Sequence, residues 1–279
     1  MTIRKAVITA AGQNQRSLPL QSLVDRDGVR KSALRIVIEE VVQAGIEDIC
    51  LVIHPGDDSK LAEAADPHAG RIRFVEQPEP RGYGHAVFCS HDFVGDEPFL
   101  LLVSDHLYVS RQPRNCARQL IDAADAESCS VSAVQATRES NLPYFGAVGG
   151  RLDQGRPHIF LIENVIEKPT PTEAEQHLIV PGLRAGHYLC FFGMHVLSPR
   201  IMEILESDIR RGTSRIQLSP ALAELAGKER YLALEVQGQR YDLDAKYGLM
   251  IAQLGLALAG NEREEVLAQL VELLAQRVS

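Results

Sequence analysis

The chain has 279 residues, 45% of them hydrophobic, and a formal net charge of −8. That length and apolar content suit one large α/β domain or two small ones with a sizeable core, and the interspersed charges exclude the basic stripe that nucleic-acid binding needs. The apolar run after Met1 to Lys5 covers about six residues, far below the roughly 20 of a membrane span, so the expectation is a soluble, cytoplasmic protein with neither nucleic acid nor membrane as partner. The five cysteines, Cys50, Cys89, Cys116, Cys129 and Cys190, are widely spaced without a Cys-x-x-Cys pair and read as buried free thiols.

Lys5 to Ala10 (KAVITA) reads as a buried strand running into Ala11-Gly12 and a polar stretch, Gln13 to Arg16. Apolar positions at helical spacing predict a helix over 32–44, with Ser32 as N-cap and Gly45 as stop. Strands follow at Asp48 to Ile53, Ile72 to Val75 and Pro98 to Val103, with a helix start at Gly84. Strand alternating with helix predicts a parallel sheet covered on both sides. Beyond Asp105 the sequence predicts helices near Pro113 to Ala124, Pro199 to Leu205, Leu218 to Ala226 and Ala245 to Ala259. It predicts strands at Ser130 to Ala136, around Ala147, and at Ile159 to Ile166, His187 to Val196 and Tyr231 to Val236. A last amphipathic helix carries Val266, Leu267, Leu270, Val271, Leu274 and Val278 on one stripe, with Asn261 and Glu264 as a capping-box signal. It divides the chain into a main domain, 1–260, and a helix, 261–279, that covers its own domain or meets a second copy in a homodimer.

In an open parallel sheet, ligands gather beyond the carboxyl ends of the strands. Ala10-Ala11-Gly12 offers small side chains and backbone N–H groups there. Gln77 to Ala86 (QPEPRGYGHA) combines two stiffening prolines with two permissive glycines at a helix start. Ser104-Asp105 ends a buried strand and sets a carboxylate at the mouth of the sheet; Glu167-Lys168-Pro169 and Tyr241-Asp242 add a cation and further carboxylates. Singly, each reads as readily as a turn, a cap or a solvated surface group.

Their order and combination resemble the bacterial UTP–glucose-1-phosphate uridylyltransferases, within the wider sugar-nucleotidyltransferase family, from Lys5 to about Gln253. The matching blocks are QPEPRGYGHAV at Gln77 to Val87, LLVSD ending at Asp105, Tyr144-Phe145-Gly146, VIEKP ending at Pro169, Gly212 through IQLSPAL, and RYDLDAKYG from Arg240. The resemblance implies an α/β, Rossmann-like three-layer nucleotidyltransferase fold with a mixed, mainly parallel central sheet. It also implies transfer of a uridylyl group from UTP to a sugar 1-phosphate, with Mg2+ as cofactor and these two small molecules as substrates. Carried over residue by residue, it implies that Ala10, Ala11 and Gly12 contact the nucleotide and that Gln77 and Gly82 recognise uracil. Asp105 and Asp242 would bind the metal, Gly146 would form the sugar wall, Glu167 would bond sugar hydroxyls, and Lys168, as a buried lysine, would meet the sugar phosphate. Arg16 matches the arginine that faces the triphosphate, so Arg16, Asp105 and Lys168 form the catalytic set.

The opening loop departs from the family pattern. Where the family has Gly-x-Gly-Thr-Arg, Gly12 is followed by Gln13-Asn14-Gln15-Arg16, so the second glycine is absent; the expected Pro-Lys-Glu lysine is also missing, leaving Arg30 or Lys31 to reach the site. Asp244 and Ala245 stand where glycine and a second aspartate are usual. A sugar-nucleotide-binding regulator without turnover, or a transferase for another base or sugar, are the alternative readings.

Overall fold

The computed structural model describes residues 1–12, 16–153 and 156–276. β1 (Lys5–Ala10) is buried throughout from Ala6, as a strand covered on both faces must be. The ribbon of β2 (Ser22–Val24) and β3 (Arg30–Ser32) follows and delivers Ser32 as the N-cap of α1 (Ala33–Gln43), its Oγ accepting from the Arg35 N–H at 3.0 Å. Gly45, at φ 91°, turns the chain after that helix. The first half continues through β4 (Asp48–Ile53), α2 (Asp58–Ala64), β5 (Ile72–Glu76), α3 (Tyr83–Cys89), α4 (His91–Val94) and β6 (Phe99–Val103).

β7 (His106–Ser110) leaves the sheet. α5 (Cys116–Glu127) starts later than the apolar pattern predicts because Asn115, not Pro113, supplies the cap, its Oδ1 accepting from the Arg118 N–H at 2.8 Å. Then come β8 (Ser130–Arg138), a short 3-10 turn, β9 (Gly146–Leu152), β10 (Ile159–Glu167), α6 (Pro171–His177), β11 (His187–Leu197), α7 (Arg200–Arg210), α8 (Leu218–Lys228), β12 (Tyr231–Glu235) and β13 (Gly238–Asp242). α9 (Gly248–Leu258) begins three residues past the expected Ala245, since Tyr247 holds a left-handed φ of 66° at its N-cap. α10 (Arg263–Ala275) closes the described chain.

The main sheet runs β5-β4-β1-β6-β11-β8-β12-β10-β9. β5, β4, β1 and β6 are mutually parallel, and β10 and β11 run against the other seven. β9 also pairs with β11, so the last five strands curl into a ring. One face packs Ile8, Leu100, Leu102 and Phe192 against α1 and α5; the other packs Val7, Leu101 and Phe191 against α7 and α8. The sheet is thus the middle of three layers, an α/β architecture.

Two expectations for local structure are corrected. The capping box expected of Asn261 and Glu264 does not form: the N-cap of α10 is Glu262, without a side-chain cap bond, because the Asn261 N–H is spent on the Arg26 carbonyl at 2.9 Å. Of the expected stripe, Val266, Leu267 and Leu270 are half-buried while Val271 and Leu274 are exposed; Val278 lies outside the described residues. Among the described residues no helix is long and apolar enough to cross a membrane.

Candidate active site

β1 is flanked by β4 on one side and β6 on the other, and a crevice opens at such a switch point beyond the carboxyl ends. Ala10 and Ala11 are buried at this edge, 6% exposed each, and Gly12 is exposed. Gln13 to Gln15 lie outside the described residues. Arg16 is described, and its guanidinium is engaged: Nε donates to Asp57 Oδ2 at 2.6 Å and Nη2 to Oδ1. This bidentate pair holds the Asp57 carboxyl below the usual carboxylate range, so Arg16 is anchored at the end of β4.

The loop after β5 is built around Gln77 and Gly82. The Gln77 N–H donates to the Ile53 carbonyl at 2.8 Å, extending the sheet register by one residue. Its Nε2 donates to Gly82 O and lies 3.1 Å from His85 Nδ1. Burial and the nearby Arg81 push the His85 pKa down, which favours a neutral ring able to accept that bond. Nε2 is thereby spent, and the Oε1 of this buried amide is the atom left to receive a donor. Gly82 sits at φ 109°, and a Cβ there would run into the Ile216 carbonyl oxygen. Its bareness lets the Arg81 carbonyl accept from Ile216 N–H at 2.7 Å and Gly84 N–H donate to Ile216 O at 2.9 Å. The loop is thus fastened to the approach of α8.

The first turn of α8 carries Ser219, whose Oγ donates to Glu167 Oε2 at 2.5 Å. Glu167 lies opposite Gly146 across β9 and β10. A Cβ on Gly146 would come within 2.9 Å of Glu167 Oε2 and of the Phe191 ring, so only glycine leaves this wall flat. Lys168 is exposed, which corrects the expectation of a buried lysine. It holds a left-handed φ of 48°, a conformation a lysine keeps only when something fixes it. The hold here is its N–H, which donates to the Phe145 carbonyl at 3.2 Å.

Asp105 follows β6, and Asp242 ends β13. The β7–β13 ribbon pairs Asp242 with His106, and Leu243 N–H donates to Asp105 O at 2.9 Å. Burial, then the neighbouring Asp242, pushes the Asp105 carboxyl up to about 6; burial also raises that of Asp242. Two such acids in a partly dry site favour a cation. No cluster of three or more His, Cys, Asp or Glu among the described residues is placed to hold a metal. A pair of hard-oxygen donors fits Mg2+, which completes its shell with water and substrate phosphates.

The structure therefore brings together Gln77, Gly82, Gly146, Glu167, Lys168, Asp105 and Asp242 and leaves Arg16 paired to Asp57. It also removes Lys31 from consideration. Its Nζ lies 2.7 Å from each of Asp25, Asp27 and Glu39, buried in a carboxylate cage, while Arg30 is exposed on β3. Two site residues lie inside the matching blocks without having been singled out: Ser219 and Tyr83. The Tyr83 hydroxyl is buried, and burial, then Asp105, raises its pKa. Their neighbours are remote in sequence, and no spacing announces them.

The family model described as nucleotidyl transferase matches residues 5–244. The chain is 31% identical to the UTP–glucose-1-phosphate uridylyltransferase YngB of Bacillus subtilis (strain 168), over 98% of this chain and 96% of that one. It is similar to the solved UDP-glucose pyrophosphorylase of Acinetobacter baumannii, with TM-score 0.76 and 27% identity over 98% of this chain and all of the other. A UTP-bound form from that organism gives TM-score 0.74 and 25% identity, covering 97% of this chain and 99% of that one. With its strand-end crevice, its fastened glycine loop and a match over most of its length, the chain belongs to the nucleotidyl transferase family.

Proposed function

We propose that this protein transfers a uridylyl group from UTP to a sugar 1-phosphate, with glucose 1-phosphate as the sugar, giving the UDP-sugar and pyrophosphate. The observation that carries the reading is the grouping of the half-buried Asp105 and Asp242 carboxylates with a base-reading amide and a hydroxyl-binding wall. The full-length likeness to relatives bearing the uridylyltransferase name supports the base and the sugar.

In this reading Ala10, Ala11 and Gly12 let the nucleotide approach the backbone, and the free Gln77 Oε1 accepts from the uracil N3–H. Cytosine has no hydrogen there and would face the amide with a second acceptor. Glu167, oriented by Ser219, accepts from sugar hydroxyls across the flat surface that Gly146 provides. Lys168 meets the sugar phosphate as a point charge, and Arg16 faces the triphosphate on exchanging Asp57 for phosphate oxygens. An oxygen of the sugar phosphate attacks the α-phosphorus of UTP; that P–O bond forms as the α–β bridging P–O bond breaks, and pyrophosphate leaves. The attacking phosphate is already ionised, so no side chain is asked to remove a proton. Positioning and charge compensation carry the rate. Asp105 and Asp242 would hold Mg2+, which when bound offsets phosphate charge.

Five free thiols suit a reducing cytoplasm. The exposed Val271, Leu273 and Leu274 of α10 support a homodimer contact, which removal of residues beyond Gly260 would abolish in size-exclusion chromatography. Pyrophosphate release from glucose 1-phosphate, Mg2+ and each nucleoside triphosphate in turn tests the function. Release with UTP alone is expected; tight UDP-glucose binding without release from any triphosphate would replace it with the regulatory reading.

A further inference from the structure

Behind the sugar wall lies a second cleft, of ≈ 560 Å³. Gln135 and Thr137 of β8 line it and pair with Cys190 and Tyr188 of β11, and Cys190 pairs in turn with Ala147. Strand alternation therefore sets it on the face opposite Gly146 and Glu167. Its walls carry Arg138, His187, Arg240 and Lys246, with Asp242 at one margin. Four basic side chains around one cavity are conspicuous in a chain of net charge −8. Among the described residues, none of Arg138, Arg240 and Lys246 has a carboxylate within ion-pair distance.

Arg240 is the most telling of the four. It is 9% exposed, stacks on the Phe145 ring at 3.7 Å, and makes one hydrogen bond, from Nη1 to the Phe191 carbonyl. A guanidinium has five N–H donors; Asp242 and Asp105 act on this one only from beyond ion-pair distance, and a buried charge without a close partner is costly. The unspent donors call for an acceptor with negative charge. The same cleft presents the opposite demand through Gln135, whose Oε1 is buried with no partner among the described residues. An inorganic anion satisfies the cations but brings little to donate; a phosphate ester bearing hydroxyl or ring N–H groups satisfies both. The volume suits a ligand of nucleotide or sugar-phosphate size, and Phe145 and Ile251 supply apolar contact.

We infer that this cleft is a second binding site, separate from the strand-end crevice, that takes an organic phosphate through Arg138, Arg240 and Lys246, with Gln135 accepting from its hydroxyl or N–H group. Arg240 stacks on Phe145, whose carbonyl receives the Lys168 N–H, so the occupant would sit one residue behind the sugar wall.

The test is calorimetric titration of the full chain with inorganic phosphate, fructose 1,6-bisphosphate and UMP, each with and without excess UDP-glucose to fill the crevice. Arg138 and Lys246 are exposed, so R138A/K246A should fold normally and keep the basal turnover. The expected result is one equivalent of an organic phosphate bound to the natural protein in the presence of UDP-glucose. Its affinity should fall about tenfold for each charge removed and exceed that of inorganic phosphate. Equal binding by the double variant, equal affinity for inorganic phosphate, or no binding of any probe would overturn the proposal. The comparison of natural and variant protein stands whether or not UDP-glucose binds, so it is decided separately from the uridylyltransferase reading.

Discussion

Gly146 and Glu167 face each other across β9 and β10 so closely that a methyl group on the first would lie 2.9 Å from the carboxylate of the second. Gly146→Ala should therefore push Glu167 off Ser219 while leaving the nucleotide side intact. The expected outcome is a KM for glucose 1-phosphate raised about tenfold or more, with the KM for UTP unchanged. Steady-state kinetics with each substrate varied in turn decide it.

Asp105→Asn removes one of the two carboxylates from the proposed metal pair but keeps the volume. Turnover should fall about a thousandfold at saturating Mg2+, and the unfolding midpoint should hold or rise, because a half-buried acid pushed up to about 6 is a liability when ionised. Full rate in the variant would remove Asp105 from the mechanism.

Gln77→Leu keeps the bulk of the base-reading side chain and deletes its acceptor. The KM for UTP should rise about tenfold, and the preference for UTP over CTP should shrink. An unchanged ratio of kcat/KM for the two nucleotides would place base choice elsewhere.

Lys31→Ala separates a catalytic from a structural lysine. Three carboxylates, Asp25, Asp27 and Glu39, surround its Nζ, and removing the cation leaves Asp25 with the more distant Arg26, Glu39 with Arg35, and Asp27 with no cation among the described residues. Denaturant unfolding should show a loss of about 3–5 kcal/mol, with the KM for UTP little changed in the folded fraction.

Glu40 sets a pH dependence of stability. It is buried on α1, its Oε1 accepts from the Ala117 N–H at 2.9 Å, and burial pushes its pKa from 4.5 up to about 7. The folded form holds this proton more tightly than the unfolded chain. The resulting stabilisation is complete below about 4.5 and is lost as pH rises towards 7. Glu40→Gln should remove that slope and raise stability at pH 8, by up to roughly 3 kcal/mol; parallel melting curves of variant and natural protein between pH 5 and 8 would refute it.

The first half of the fold was legible because its strands are apolar on both faces and its caps are local: Ser32 closes α1 within its own turn. The Gln77 to Val87 block was legible because two prolines and two glycines in one loop are written in consecutive residues. The β7–β13 ribbon was not. Gly238 to Asp242 carries Gln239 and Arg240 in a five-residue strand with no clear alternation, and its partner lies far back in the chain. The same distance hid the hold of Asp57 on Arg16, the bond from Ser219 to Glu167 and the caging of Lys31. The resemblance also implied a buried Lys168, whereas its side chain is exposed and only its backbone is pinned.

The β7–β13 ribbon has a further consequence for the order in which a newly made chain matures. Its two strands are separated by most of the remaining sheet, so closing that loop carries a high entropic toll and belongs late in folding. A refolding chain should regain helical circular dichroism before it regains the paired Asp105 and Asp242, and an emerging nascent chain would hold a complete nucleotide crevice yet remain inert until Asp242 had left the ribosome.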